Sequence, residues 1–410
     1  MSFKIPRGRL AKDTIILFIM LNIFNFLNYL YHFIIARMLV PADYGILITL
    51  FSIIYIFGIP SEGIQVLFAR LTSKYNIKGE DGKIKYFVNK GIKRVSFIAS
   101  IIFLILFLAS FFLSKFLKID FWLLVVTNAM IFAFVLAPIP RGVLQGKKKF
   151  GKFGISFIVE SIVRLFLSVF LVWIGFKVYG AIIGVFLGIF LGFLMALFFI
   201  KDTMKERAEK ENLRDIYQFS VPFFVVTFVI LCMLSIDVIL VRRFFIADPD
   251  LVGKYAVLST LGKIIFLGTA SVSKTMFPSA SERFEEKKET RHIFVKSFIV
   301  TILLCAIALI FFYYLPELII RITFGSQYVD ISHLLFYEGL ALTFLSLSNL
   351  VLLYGLSINR IKRPYWLFLF LILEVILLTI FNSNLKSYII ALTVSNLIMF
   401  IGSIFFIIKK

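Results

Sequence analysis

The sequence holds few of the residues on which catalytic and metal sites depend. Two cysteines and three histidines occur among its 410 residues. Cys232 and Cys305 lie far apart within apolar runs, which is typical of small hydrophobic side chains and not of a disulfide framework or a metal site. The sequence has no phosphate-binding loop, zinc-protease motif, nucleophile elbow or His and Cys cluster. It therefore predicts no cofactor, no bound metal and no enzyme.

Acidic residues are also scarce, whereas apolar residues are abundant. The chain has 23 Asp and Glu against 44 Lys and Arg, a net charge of +21, 60% hydrophobic residues and 51 phenylalanines. Its mean hydropathy is +0.99, so lipid must surround most of the chain. The apolar run after the basic start is too long for a signal peptide and lacks a small-residue cleavage site. We therefore expect the first helix to be retained.

Twelve apolar segments are long enough to cross a bilayer as helices, since about 20 apolar residues span roughly 30 Å of hydrocarbon. Their approximate limits are 14–36, 45–70, 95–117, 121–141, 153–176, 178–200, 217–241, 252–277, 295–316, 332–357, 364–381 and 387–408. The sequence thus predicts an all-α integral membrane protein with about 12 transmembrane helices. The connections are too short to hold a catalytic domain, which favours transport over an enzyme.

The basic residues lie mainly on one side of these spans. The two termini and every second connection carry 32 of the 44 Lys and Arg residues, whereas the other connections carry nine. Because basic residues accumulate on the cytoplasmic side, both termini are predicted to be cytoplasmic. We expect a multi-pass protein of the cell (plasma or inner) membrane. This topology explains the basic charge without a nucleic-acid partner.

A polar stretch divides the chain into two halves of six helices. We predict an N-terminal lobe over 1–200, a cytoplasmic linker over 201–215 and a C-terminal lobe over 216–410. Residues 36–50 resemble residues 241–261, since each segment has an arginine, a short acidic loop and a glycine that opens the next helix. Such parallel repeats form two six-helix bundles related by a pseudo-two-fold axis along the membrane normal, with a substrate path between them. Chance similarity of two loops is the alternative.

One side of the first helix is unusually polar. At 100° per residue, the side chains that share an arc of about 120° are Asn22, Asn25, Asn28, Tyr29 and His32. In lipid, amides without partners would each cost several kcal/mol, so this face must meet protein or water. We interpret it as the wall of a hydrated substrate cavity, with amides and rings suited to sugars. Hydrogen bonding between helices is the alternative.

Ionisable residues at membrane depth are costly and are therefore functional candidates. These residues are Glu62, Glu160, Arg164, Asp237, Lys263, Lys274, Glu338 and Glu374. Glu160 and Arg164 are four residues apart and can pair on one helix face, while Lys263 can pair with Asp237 or Glu338. Arg164 and Lys263 supply one buried cation in each half, at similar depth, which suits an anionic ligand such as phosphate. The alternative is that every one of these charges only locks helices together.

Several segments resemble a known family, in order along nearly the whole chain. They are "ARMLVPADYGIL" (36–47), "GVLQGKKKFGKFG" (142–154), "VGKYAVLSTLGKI" (252–264), "FPSASE" (277–282), "FGSQYVD" (324–330) and "LLYGLSINR" (352–360). In these segments the chain is similar to the polysaccharide transporters, the oligosaccharide flippases of the multidrug/oligosaccharidyl-lipid/polysaccharide (MOP) exporter superfamily. Most of the shared motifs lie in loops and helix contacts, so they identify the fold better than the cargo.

The resemblance implies a MATE-like pair of six-helix bundles, alternating access, and flipping of polyprenyl-(pyro)phosphate-linked oligosaccharide for surface polysaccharide synthesis. Its implied partners are the lipid-linked glycan, membrane lipid, a coupling proton or sodium ion, and polysaccharide assembly enzymes. Arg70 matches a position where the family often has arginine. The residues expected to gate or couple transport are Glu62, Arg70, Glu160, Asp237, Glu338 and Glu374.

Other cargoes and roles remain open at this stage. A cation-coupled drug or small-molecule antiporter of the same superfamily would need buried carboxylates that protonate, and Glu62, Asp237 and Glu374 could supply them. A flippase for another polyprenyl-linked cell-wall precursor would have almost the same sequence features. A scaffold for a polymerase or glycosyltransferase is a third alternative.

Overall fold

The structure, a computed structural model, describes residues 7–209, 221–361 and 364–408, which are almost entirely helical. The helices of the first half are α1 (Arg7–Met38), α2 (Pro41–Asn76), α3 (Asp81–Leu117), α4 (Phe121–Leu136), α5 (Pro138–Gly146), α6 (Phe150–Leu171), α7 (Lys177–Phe199) and α8 (Lys201–Lys205). Those of the second half are α9 (Val221–Phe244), α10 (Pro249–Glu285), α11 (Arg291–Tyr314), α12 (Pro316–Thr323), α13 (Leu335–Ser357), α14 (Leu367–Ile380) and α15 (Leu385–Ile408). No strand occurs in these three ranges.

The helices account for the twelve predicted spans. Within the described ranges, nine helical segments are long and apolar enough to cross a membrane, and the two parts of α2, bent by 40°, make a tenth. One segment, Phe150–Phe199, has 50 residues and would be about 75 Å long as a single helix. Gly175, at φ 101°, breaks it, and α6 then packs beside α7 as a separate span. With the shorter apolar helix α14, these helices confirm the predicted all-α membrane fold.

The chain packs as two compact units. Unit 1 consists of Met1–Leu39 and Phe57–Gln218, and unit 2 consists of Val40–Ile56 and Phe219–Lys410. The first part of α2 thus belongs to unit 2, whereas the sequence-based division placed it in the N-terminal lobe. Part of the expected linker, 210–215, lies outside the described residues.

A contact between two glycines holds the first part of α2 in unit 2. A Cβ atom on Gly253, near the start of α10, would lie 1.8 Å from the carbonyl oxygen of Pro41. A Cβ atom on Gly45 would lie 2.8 Å from the backbone nitrogen of Gly253. Only glycine permits so close a backbone approach. These are the two glycines that open the repeated helices in the sequence, so the repeat brings its own members together.

Four helix ends, two in each half, share a backbone geometry that also occurs at the end of α3, in residues 114–119 with Lys118 left-handed. At each end, a residue in the left-handed conformation is followed by an N–H that bonds to the carbonyl five residues earlier, as in a Schellman motif. The segments are 75–80, 144–149, 283–288 and 355–360, with the left-handed residues Gly79, Lys148, Lys287 and Asn359. The first and third segments, and likewise the second and fourth, are about half the chain length apart. A repeat in local structure therefore accompanies the repeat in sequence.

A row of glycines on α7 brings α6 close in unit 1. Gly180, Gly184, Gly188 and Gly192 are spaced at four residues and therefore share one helix face. A Cβ atom on Gly188 would lie 2.7 Å from the carbonyl oxygen of Glu160, and one on Gly192 would lie 2.8 Å from Nη2 of Arg141. The glycine row thus gives the buried charges of α5 and α6 the space that they occupy.

Candidate functional site

Unit 1 contains a buried arrangement of Arg141, Glu160 and Arg164, here called the arginine network. Oε2 of Glu160 accepts a hydrogen bond from Arg141 and Oε1 accepts one from Arg164, both at 2.7 Å. The three side chains are 6%, 6% and 12% exposed, respectively. The pairing of Glu160 with Arg164 follows from their spacing in the sequence. The second arginine, on α5, does not.

Further contacts fix Arg141 more firmly than Arg164. Arg141 donates through Nε to Oγ of Ser156 and through Nη2 to the carbonyl oxygen of Ser156, each at 3.2 Å. Its guanidinium carbon also lies 3.9 Å from the ring centroid of Phe157, a cation–π contact. Arg164 donates to the side-chain oxygen of Asn28 on α1, and its Nε has no hydrogen-bond partner among the described residues.

The arginine network carries an excess positive charge. Two arginines share one carboxylate, and arginine stays protonated at any ordinary pH. One positive charge is therefore left without a carboxylate inside the network. Because Arg141 has further bonds to Ser156, Arg164 is the arginine of the network whose charge a ligand can use.

The polar face of α1 is divided between a packed edge and an exposed edge. Asn28 is the member that bonds to Arg164. Asn22 and Asn25 are exposed, while Tyr29 and His32 are half-buried. Phe24 lies one turn before Asn28 on the same packed edge, where its ring is 5.0 Å from that of Phe157. The structure thus packs Asn28 against Arg164 and leaves Asn22 and Asn25 exposed, on the side of α1 that also carries the exposed Ile23 and Phe26.

Unit 2 contains a second set of buried charges, here called the acidic cluster: Asp237 on α9, Lys263 on α10, Glu338 on α13 and Glu374 on α14. All four residues are at most 5% exposed. Oδ2 of Asp237 accepts hydrogen bonds from Tyr255 at 2.7 Å and Ser259 at 3.0 Å. These partners lie four residues apart on α10, and Lys263 is four residues further along the same face.

Lys263 is the cation of the acidic cluster. It interacts electrostatically with Asp237 and Glu338, and Nζ lies 5.7 Å from the ring centroid of Tyr55 in the first part of α2. Cγ of Glu338 would lie 3.1 Å from a Cβ atom on Gly262, which places α13 directly against this part of α10. Nζ of Lys263 and both carboxyl oxygens of Glu338 and of Glu374 have no hydrogen-bond partner within the described ranges.

The remaining predicted residues lie outside both sets. Glu62, Arg70 and Lys274 are exposed. In the part of the chain that the structure describes, no group of three or more His, Cys, Asp or Glu side chains could hold a metal ion. Sequence reasoning missed Arg141, which it counted with a basic loop although the residue is 5% exposed. Its position between Pro140 and Gly142 after an apolar run was the available signal.

Comparison with known proteins identifies the family. The sequence matches the family described as polysaccharide biosynthesis protein over residues 10–284, about two thirds of the chain. The chain belongs to this family. No curated protein matches the sequence. The resemblance drawn from the sequence motifs is therefore confirmed.

Solved structures show that this family member has the fold of MOP superfamily transporters. An inward-facing multidrug resistance MATE family transporter is 12% identical, with a TM-score of 0.76 and 92% of each chain covered. An outward-facing MATE family transporter is 14% identical, with a TM-score of 0.64, covering 97% of this chain and 96% of that one. A MOP superfamily transporter from Pyrococcus furiosus, reported to have a binding pocket of reverse polarity that suggests a different function, is 12% identical. Its TM-score is 0.63, covering 96% of this chain and 93% of that one.

These matches confirm the expected class at the level of family and fold. The protein is a multi-pass membrane protein of this polysaccharide biosynthesis family, with the fold of MOP superfamily transporters.

Proposed function

We propose that this protein is a flippase that moves polyprenyl-(pyro)phosphate-linked oligosaccharide across the cell membrane by alternating access, with both termini cytoplasmic. Membership in a polysaccharide biosynthesis family supports this class of cargo. The observation that carries the proposal is the buried arginine network of unit 1 and its excess positive charge. An anionic lipid phosphate is the ligand chemistry that such a charge favours.

Arg164 is the proposed phosphate-binding residue of unit 1. Moving a phosphate out of water is costly, and charge-assisted hydrogen bonds offset part of that cost. Arg164 can give such bonds without leaving Glu160 unpaired, because Arg141 holds the other carboxylate oxygen at 2.7 Å. Asn28 lies beside it. The exposed Asn22 and Asn25 belong to the same polar face, and their amide groups are donors and acceptors suited to sugar hydroxyls.

The acidic cluster of unit 2 is the proposed coupling element. Its three buried carboxyl groups interact with one another, and ionisable residues inside the membrane commonly form ion pathways and proton relays. Glu62 and Arg70 are exposed on the second part of α2 and remain candidates for gating. Polysaccharide assembly enzymes are the expected protein partners, since they would consume the flipped glycan.

The same acidic cluster favours a second candidate, a cation-coupled antiporter for drugs or other small molecules. A cationic drug would be attracted by three buried carboxylates, whereas the arginine network of unit 1 would repel it. A flippase for another polyprenyl-linked precursor would keep the phosphate and differ only in its sugars.

Reconstituted vesicles separate these candidates. Purified protein would be incorporated into liposomes with undecaprenyl pyrophosphate carrying a short oligosaccharide, and external lectin binding would report the glycan that reaches the outer leaflet. The flippase predicts protein-dependent exposure of glycan and no uptake of a cationic dye driven by a pH or sodium gradient. Dye uptake without glycan exposure would instead support the antiporter.

A further inference from the structure

The acidic cluster contains more acid than its one base can balance. Asp237, Glu338 and Glu374 together with Lys263 would carry two excess negative charges if all four groups were ionised. Ions buried without a counterion cost several kcal/mol each. The cluster is electrically neutral when two of its three carboxyl groups hold protons. Its neutral form therefore contains two bound protons, one carboxylate and one ammonium group.

Lys263 lies on the face of α10 that meets these carboxyl groups. It follows Tyr255 and Ser259 on one face of α10, and both of those residues donate to Oδ2 of Asp237. Oδ1 of Asp237 has no hydrogen-bond partner among the described residues, and neither has Nζ of Lys263. The ammonium group interacts with Asp237 on one side and Glu338 on the other. One lysine side chain on α10 thus interacts with two carboxyl groups.

Within the described ranges, the groups that interact with these carboxyl groups supply no second positive charge. Tyr388 on α15 donates to the backbone carbonyl of Asp237 at 2.7 Å, and its ring meets that of Tyr255 edge to face at 5.8 Å. Tyr255, Tyr388 and Cys232 are the other titratable side chains that interact with the carboxyl groups. All three are neutral in their protonated form, so Lys263 is the positive charge among the groups that interact with the cluster.

We infer that Lys263 is the resident cation of the acidic cluster, so that unit 2 exchanges protons there and needs no metal ion. An ammonium on a flexible stem is a compact positive charge that can serve either carboxylate. When a carboxyl group takes up or releases a proton, Lys263 can remain with the carboxylate that is ionised. The cluster then stays neutral through the exchange without recruiting a metal ion from solution.

This inference deepens the proposed function, on which its role in coupling rests, but it can be tested without any glycan. Purified protein in detergent would be melted between pH 6 and pH 9, in sodium chloride and in choline chloride of equal ionic strength. The variants would be Lys263→Gln, Lys263→Gln with Glu338→Gln, and Lys254→Gln. Lys254 is a matched control, because it lies on the same helix and pairs with Asp330 at 2.5 Å outside the cluster.

The sign of the pH effect follows from counting protons. Without Lys263, the neutral folded cluster must hold one more proton than in the wild type, while the unfolded carboxyl groups are ionised above about pH 5. The melting temperature of Lys263→Gln should therefore fall faster with pH than that of the wild type, by roughly 2–4 °C for each pH unit. For the double variant and for Lys254→Gln, the melting temperature should change with pH as it does in the wild type.

Sodium provides the second measurement. The wild type should melt at the same temperature in sodium and in choline, whereas Lys263→Gln should be stabilised by sodium at pH 8–9 because its carboxylates have lost their cation. A wild type that sodium stabilises as strongly as the variant would overturn the inference. So would a Lys263→Gln loss that is equal at every pH and independent of sodium. If Lys263→Gln does not fold, Lys263→Arg provides the test. Its melting temperature should depend on pH and on sodium in the same way as that of the wild type, and a difference in either would overturn the inference.

Discussion

Replacing Glu160 should destabilise unit 1 more than replacing either of its arginines. Glu160→Gln leaves Arg141 and Arg164 buried near one another with no carboxylate, although each was bonded to it at 2.7 Å. Removing one partner of a buried ion pair costs about 3–5 kcal/mol, because the remaining charge stays buried and uncompensated. Arg164→Gln leaves Glu160 paired with Arg141, so the loss should be about 1.5–3 kcal/mol, the range for a hydrogen bond to a charged group.

Thermal unfolding of the purified variants in detergent would measure this order. Glu160→Gln should unfold at the lowest temperature, and adding Arg164→Gln to it should recover only part of the loss because Arg141 remains charged. An isolated pair of Glu160 and Arg164 would instead be fully restored by the double change. Equal melting temperatures for Glu160→Gln and Arg164→Gln would refute the network described here.

Three further predictions concern helix contacts and topology. Gly253→Ala should lower the free energy of unfolding by about 1–3 kcal/mol, because its Cβ atom would lie 1.8 Å from the carbonyl oxygen of Pro41. Gly268→Ala on the same helix is the control: its Cβ atom would have nothing within 4 Å, so the same thermal melts should show a neutral or stabilising effect. In a protein without Cys232 and Cys305, Asn22→Cys and Asn25→Cys should react quickly with a water-soluble thiol reagent. Phe24→Cys, on the packed edge, should react slowly, and equal rates would contradict the cavity interpretation. Asn76 and Glu209 line one cleft, so cysteines at both positions should be labelled only from the cytoplasm, and a cysteine at Asp248 only from outside. Labelling of the first two from opposite sides would contradict the structure of unit 1.

The sequence predicted those features that depend on the order of residues along one helix. Hydropathy located the spans, since each span must be apolar over its whole length. The spacing of four residues predicted the pairing of Glu160 with Arg164, which is observed at 2.7 Å. Each of these predictions depends only on the geometry of one helix.

Contacts between helices could not be read in this way. Arg141 meets Glu160 because the glycines of α7 allow the helices of unit 1 to approach closely, and no local pattern encodes that approach. Asp237 is bonded to Tyr255 and Ser259 across the turn between α9 and α10, where the rotation of each helix decides which side chains meet. The place of Val40–Ile56 in unit 2 likewise depends on packing at Gly45 and Gly253.

The flipping rate of Arg164→Gln tests the central claim most directly. Lipid-linked oligosaccharide would be presented in liposomes at equal amounts of folded wild type, Arg164→Gln and the control Lys254→Gln, and the initial rate of glycan exposure would be measured below saturation. A charge-assisted hydrogen bond is worth about 1.5–3 kcal/mol, so Arg164→Gln should lower that rate on the order of ten- to a hundredfold, while Lys254→Gln leaves it unchanged. Folded Arg164→Gln that flips the glycan at the rate of the wild type would contradict phosphate recognition by the arginine network.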